Sequence, residues 1–394
     1  MTDVTNLMAV ERALRTAAPH DLLDALRDCL TRCYAASEVE LLMVDYSLSV
    51  LQPVSARRQP GAAVPAHGNP AGRAFGAQEL FAQEDGHDGA VIAYVPVTVR
   101  GDRLGVLTVR LPAGGLTPEV AEELCETAEM LAREILVAGR DTDLYLQARR
   151  RNRLTLAAEM QWQLLPAQAC RHAEYAIGAQ LEPAYAIHGD NFDWSAGGDR
   201  LVLTVSNGMG EGIEAALLTN LAVNALRNAR RAGISIADQA ALADQAVYAQ
   251  YRGRMFLSVL LLDFALDTGR VRVVDAGSPQ LLRLRASTVE RVPFEAQLPL
   301  GMADETPYGE QEFEVRPGDR LIIVSDGVSE VASTAGERYG ERALIRAIHA
   351  TRLLSAAEVP RAILAELAGH RAADPDDDAL IVCVDWYGRP GANA

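Results

Sequence analysis

The stretch LTVSNGMGEGIEAALL, residues 203–218, runs from a strand-like segment through Asn207-Gly208 into a turn rich in glycine. Three other segments share that pattern, each with an acid in a turn beside a strand-like run. They are AIHGDNFDW (186–194) with Asp190 and Asp193, RLIIVSDGVSEV (320–331) with Asp326, and DPDDDALIVCV (374–384) with Asp376 and its neighbours. One such Asp-Gly pair is ordinary turn chemistry. Four together supply oxygen ligands without His or Cys, the donor set of hard cations such as Mg2+ or Mn2+. A sheet fixes carboxylates at its strand ends, and adjacent glycines permit close approach. Two ions held a few ångströms apart can bridge a water, lower its pKa and present hydroxide to phosphorus.

In this order the four segments resemble the PPM-type protein phosphatases, and within them the SpoIIE-like branch. The resemblance extends to AAEMQWQLLP (157–166), GIEAALLTNLAVNALR (212–227) and FLSVLLLDFALDTGRVRVVDAGSP (256–279), then to LPLG (298–301), PGDRLIIVSDGVSE (317–330) and GERYG (336–340). It covers about residues 157–386 and implies a β-sandwich flanked by helices. Carried over residue by residue, it implies that Asp190 binds one metal, that Asn207 stands where an aspartate bridges two, and that Gly208 supplies a carbonyl. Asp326 and Asp376 would bind the other ion. The implied cofactors are Mn2+ or Mg2+, and the implied reaction is in-line attack of a metal-bridged hydroxide on phosphoserine, with no covalent enzyme intermediate. The implied substrate is a regulatory phosphoprotein such as an anti-sigma-factor antagonist.

Two positions depart from the family pattern. His188 replaces a glycine next to Asp190. Asn207 matters more, because an amide offers one neutral oxygen and its NH2 is repelled by a cation. Two functions therefore stand side by side: a metal-dependent serine/threonine phosphatase, and a pseudophosphatase that binds a phosphoprotein without turning it over. Glu211 and Glu214 are the carboxylates near enough in sequence to compensate, Glu211 the better placed.

Upstream, residues His20–Ala36 read as an amphipathic helix, followed by strand-like runs at Glu40–Tyr46 and Ser49–Val54. Gln59–Pro70 reads as a loop rich in Gly, Pro and Ala. Val91–Val99 and Leu104–Leu111, joined by Arg100-Gly101-Asp102-Arg103, read as a hairpin. Thr117-Pro118 opens a helix with a capping residue and a first-turn proline. This order, with YVPVTVRGDRLGVLTVRLP (94–112) and LTPEVAEELCETAEMLA (116–132), resembles a GAF domain over about residues 10–138. That resemblance implies a sensory module that holds a small molecule or dimerises. From Pro118 to about Leu165 the helical pattern is almost continuous, with a weak break at Gly139. Its basic run, Arg149–Arg151 with Arg153, reads as a solvated helix face or as part of a connecting helix in a homodimer.

The expected class is α+β. A GAF-like α/β sensor sheet over 1–138 precedes a long connecting helix over 139–166. A PPM-type domain over 167–388 and a disordered tail over 389–394 follow. The 394 residues suffice for two domains. A net charge of −16 argues against nucleic-acid binding and membrane docking. No apolar run reaches the roughly 18–20 residues of a membrane span, and the start lacks the pattern of a secretion signal, so a cytoplasmic protein is expected. The five cysteines are too scattered for a disulfide framework. Cys29 and Cys33 would share a helix face as buried apolar groups, without the CxxC or nearby His of a metal pair.

Overall fold

Arg100 and Gly101 both adopt positive φ (51° and 93°), so the chain reverses between two strands whose twist such a turn matches. Around that hairpin the computed structural model builds the N-terminal half. It describes residues 3–54, 63–86, 89–183, 185, 189–333, 336–340, 342–371 and 377–389, and it divides into two units, Met1–Arg153 and Leu154–Ala394. Among the described residues no helix is long and apolar enough to cross a membrane.

The first unit runs α1 (Asp3–Thr16), α2 (Leu22–Tyr34), β1 (Glu38–Val44), β2 (Val50–Pro53), β3 (Val64–Pro65), α3 (Pro70–Ala77), β4 (Phe81–Glu84), β5 (Val91–Val99), β6 (Asp102–Leu111), α4 (Pro118–Ala138) and α5 (Leu144–Ala148). Its strands form one antiparallel sheet in the order β3-β2-β1-β6-β5-β4. Period-two alternation sends Val39, Leu41, Val95, Leu107 and Val109 toward α1, α2 and α4. The opposite face gives Leu42, Val44 and Val106 to a smaller core with Phe75 of α3. The Cys29 and Cys33 sulfurs lie 4.0 Å apart on one side of α2. Residues 55–62 lie outside the described part, so the expected 59–70 loop is seen from Ala63 only. There Val64–Pro65 pairs with β2 rather than looping freely.

Thr117 caps α4 by accepting from the Val120 N–H at 3.3 Å, but the helical run does not continue to Leu165. α4 stops at Ala138, and the Arg140 and Asp141 N–H groups turn back onto Val137 and Ala138 carbonyls. A second break follows α5. The Arg149 carbonyl accepts from the Tyr46 N–H, and the Arg149 guanidinium lies 4.8 Å from the Tyr46 ring centroid. Arg149 is thus packed on the sheet rather than solvated on a helix face. In place of one long connecting helix there are two short ones, α5 and, after a non-helical stretch, α6 (Leu156–Leu164).

The second unit continues from α6 through β7 (Ala169–Arg171), β8 (Tyr175–Glu182), β9 (Asn191–Ala196), β10 (Arg200–Gly208), α7 (Gly212–Arg231), α8 (Ile236–Tyr251), β11 (Leu257–Ala265) and β12 (Arg270–Ala276). It ends with β13 (Gln280–Arg285), β14 (Thr288–Arg291), β15 (Gln311–Glu314), β16 (Arg320–Val324), α9 (Asp326–Ser329), α10 (Ala343–Ala350), α11 (Val359–His370) and β17 (Ala379–Trp386). Two antiparallel sheets result, ordered β15-β12-β11-β10-β9 and β14-β13-β16-β17-β8-β7. Alternation again decides the layers. Leu257, Val259 and Leu261 of β11 pack under α7 and α8, whereas Phe264 stacks on Trp386 of β17 with ring centroids 5.8 Å apart, joining the sheets. Ile381 and Cys383 of β17 face α10 and α11. The result is the expected β-sandwich flanked by helices.

Several buried charges in this unit are paired, which offsets their desolvation. Arg320 chelates Asp385 and donates to the Thr351 and Leu354 carbonyls beyond α10. Asp193 of β9 accepts from Arg227 at 2.7 and 3.1 Å and from Arg230 at 2.8 Å, and Arg227 also donates to the Leu164 carbonyl at the end of α6. Asp193 therefore belongs to the framework.

Candidate metal-binding cleft

Backbone packing at one end of the sandwich sets the site. Gly189, just before β9, and Gly208, ending β10, cross in contact. The Gly208 N–H donates to the Gly189 carbonyl at 3.2 Å, and the Thr219 hydroxyl of α7 donates to the same oxygen at 2.9 Å. A Cβ on Gly189 would stand 2.3 Å from the Gly208 oxygen, so no side chain fits there. On the facing sheet, a Cβ on Gly327 would stand 1.8 Å from the Asp378 carbonyl oxygen. Asp378 joins the two sheets, because its Oδ2 accepts from the Gly189 and Asp190 N–H groups at 2.8 and 3.2 Å. Ser325 pairs with Leu380 through both backbone and hydroxyl.

These contacts bring Asn207, Gly208, Glu211, Ser258, Ser278, Asp326 and Asp377 to the walls of a cleft of about 520 Å³. Asp190 lies fully buried, and its Oδ2 has no hydrogen-bond partner. Burial, and next the charge of Asp378, push its carboxyl well above the usual carboxylate range, against a hydrogen bond from Ser325. Asp326 is pushed up by burial and then by Asp377, against donation from the Gly327 N–H. The Asn207 Nδ2 donates to Asp326 Oδ1. Among the described residues no Lys or Arg lines the cleft. The group is therefore a set of acids lacking positive charge, with one amide as a neutral donor among them.

A folded pKa above the unfolded value of about 3.9 favours the fold only while the proton stays on. That contribution is full below the unfolded pKa and is lost as pH rises through the folded value. Asp190→Asn removes the titration. In EDTA, the variant is expected to melt above the wild type at alkaline pH, with the gap closing on acidification toward the unfolded value of about 3.9. Thermal melts across that range check it, and a gap independent of pH would rule out Asp190 as the group responsible.

Of the residues expected from sequence, Asn207, Gly208 and Asp326 line the cleft and Asp190 is buried close enough to Asp326 and Asp377 to feel their charge. Asp376 and His188 lie outside the described residues. Asp377 and Asp378 were not singled out, yet Asp377 lines the cleft and Asp378 ties its floor together. Glu211 is in the lining and Glu214 is not.

Among the described residues no three His, Cys, Asp or Glu side chains converge as ligands of one ion. The oxygen-bearing groups that line the cleft suit a hard cation by their chemistry: the Asp326 and Asp377 carboxylates, the Asn207 amide and the Gly208 backbone. The partnerless, buried Asp190 oxygen fits a water or ion as its missing partner.

The N-terminal unit has a separate cavity of about 370 Å³ over its α3-covered sheet face, with Leu42, Ile92, Tyr94, Thr108, Arg110 and Asn69 among its walls. Arg110 is ion-paired with Asp85 at 3.1 Å.

Residues 197–387 match the family model described as stage II sporulation protein E (SpoIIE). The phosphoserine phosphatase RsbU of Bacillus subtilis (strain 168) is 21% identical over 227 residues, which are 56% of this chain and 68% of that protein. Among solved structures, the SiaA-PP2C domain of Pseudomonas aeruginosa shares 20% identity at a TM-score of 0.49, over 58% of this chain and 94% of that one. The PP2C phosphatase domain of SpoIIE from Bacillus subtilis, solved with a fragment of its regulatory domain, shares 19% at 0.48, over 55% and 65%.

Proposed function

Residues 197–387 form a SpoIIE-family domain of the PPM phosphatase type, and on that premise we propose that the chain hydrolyses phosphoserine or phosphothreonine on a regulatory protein. The observation that carries this reading is that Asp326, Asp377, Asn207 and Gly208 line one cleft in which, among the described residues, there is no His or Cys. Clustered carboxylates and carbonyl oxygens suit a hard cation, and with it direct attack by water on the phosphoryl group. A bound Mn2+ or Mg2+ would acidify that water and offset charge on the phosphoryl oxygens. The chain's own residues set the geometry. Asp326 and Asp377 concentrate negative charge for the ion, the Asn207 amide holds Asp326, and Gly208 leaves room for the Thr219 hydroxyl and the Gly189 carbonyl behind the wall. By the family resemblance, the substrate is a phosphorylated anti-sigma-factor antagonist. The N-terminal unit acts as a GAF-like sensor within a homodimer, its cavity taking a small molecule.

The Asn207–Asp326 hydrogen bond favours a second reading. It satisfies with a proton an oxygen that a second ion would otherwise take, which suits a module that binds a phosphoprotein without cleaving it. Steady-state hydrolysis of a phosphoserine protein, with Mn2+ titrated, decides between them. Slow turnover that EDTA removes and Asp326→Ala abolishes is expected. Retained binding of the phosphoprotein without turnover at any Mn2+ concentration would establish the binding module instead.

A further inference from the structure

Ser278 lies in the turn Asp275-Ala276-Gly277-Ser278-Pro279 between β12 and β13. Its Oγ is shielded from solvent and has no hydrogen-bond partner, although the residue lines the cleft. A shielded, unused hydroxyl costs about 1–3 kcal/mol unless a ligand or water completes it. The turn beneath it is stiff. Gly277 adopts φ of 138°, and a Cβ there would meet the Ser258 Oγ at 2.3 Å. Its N–H donates to Asp275 Oδ1 at 3.2 Å. Ser258 in turn is the register partner of Asn207. Ser278 is therefore held on the same rigid frame as the amide and the acids.

The lining offers carboxylates, which repel a phosphoryl group, and among the described residues no Lys or Arg to attract one. A phosphoryl oxygen needs a donor, and the Ser278 O–H is a donor without an assignment. We propose that Ser278 donates its hydroxyl hydrogen to a non-bridging phosphoryl oxygen of the group entering the cleft and fixes its orientation. This rests on the phosphomonoester reading above, but it concerns binding, so it can be tested apart from turnover.

The probe is inorganic phosphate, titrated by calorimetry into the full chain with saturating Mn2+. Ser278→Ala is expected to weaken phosphate binding about tenfold or more, as for loss of a hydrogen bond to a charged group. Ser278→Thr, which keeps the hydroxyl, is expected to stay near wild type. Mn2+ affinity should hold in both variants, and without phosphate Ser278→Ala should melt no lower than the wild type. Unchanged phosphate affinity in Ser278→Ala overturns the proposal, as does a parallel loss of Mn2+ affinity or a wild type that takes no phosphate. Phosphate binding without hydrolysis of p-nitrophenyl phosphate by the wild type defeats the catalytic reading alone and leaves Ser278 in place.

Discussion

Asn207→Asp is expected to raise Mn2+-dependent hydrolysis of a phosphoserine substrate about 10–100-fold, or to create it where the natural chain has none. The amide gives one neutral oxygen to the cleft and spends its N–H on Asp326. The carboxylate would add a unit of negative charge where Asp326 and Asp377 already face each other. Without a cation that crowding is unfavourable; with one it becomes a third ligand, able to span two ions. The variant should therefore melt lower than the wild type in EDTA and gain more from Mn2+. Calorimetry should count one ion on the natural chain and two on the variant. Equal stoichiometry and equal rates would mean that the amide does not limit the site.

Gly327→Ala should damage both fold and site. The added methyl would stand 1.8 Å from the Asp378 oxygen, a backbone atom with nowhere to rotate. Either α9 or the start of β17 must move, at a cost of about 1–3 kcal/mol or more. For a unit of this size each kcal/mol lowers the melting temperature by about 2–4 °C. The contact lies directly after Asp326 on one side and Asp377 on the other, so the shift separates the two acids. Mn2+ affinity should fall about 10–100-fold. Gly369→Ala, near the end of α11 with open space around it, is the control and should leave Mn2+ affinity unchanged and stability equal or slightly higher. Loss of stability with intact Mn2+ binding would show that the ion is held elsewhere.

The elements that local chemistry determines were legible in the chain: the Arg100-Gly101 reversal, the Thr117 cap, and the alternation that layers β11 and β17 into a sandwich. The same local pattern, an acid or amide at a strand end, was enough to single out Asp190, Asn207 and Asp326. Tertiary contacts account for what was missed. Three consecutive acids, Asp376 to Asp378, give no register by themselves. The contact of Gly327 with the Asp378 backbone turns Asp377 into the cleft and Asp378 under Gly189. The helical pattern past Pro118 was sound residue by residue, but Tyr46, about a hundred positions earlier, takes the Arg149 carbonyl and ring stacking away from it. The turn that holds Ser278 was part of the resemblance, but its role was not legible, since an unpartnered hydroxyl is visible only once its surroundings are known.

Asn207 is followed by Gly208, the dipeptide most prone to lose side-chain ammonia. The glycine nitrogen attacks the amide carbon, ammonia leaves, and water opens the cyclic imide to aspartate or isoaspartate. In the folded chain that nitrogen donates to the Gly189 carbonyl, and the strand is held extended by the pairing of Asn207 with Ser258. Folding thus withholds the nucleophile and preserves the amide, while each excursion to the unfolded state exposes it. Time spent unfolded becomes chemically recorded at position 207. A refolded or aged preparation accumulates a fraction one mass unit heavier, part of which carries the very carboxylate that the gene leaves out.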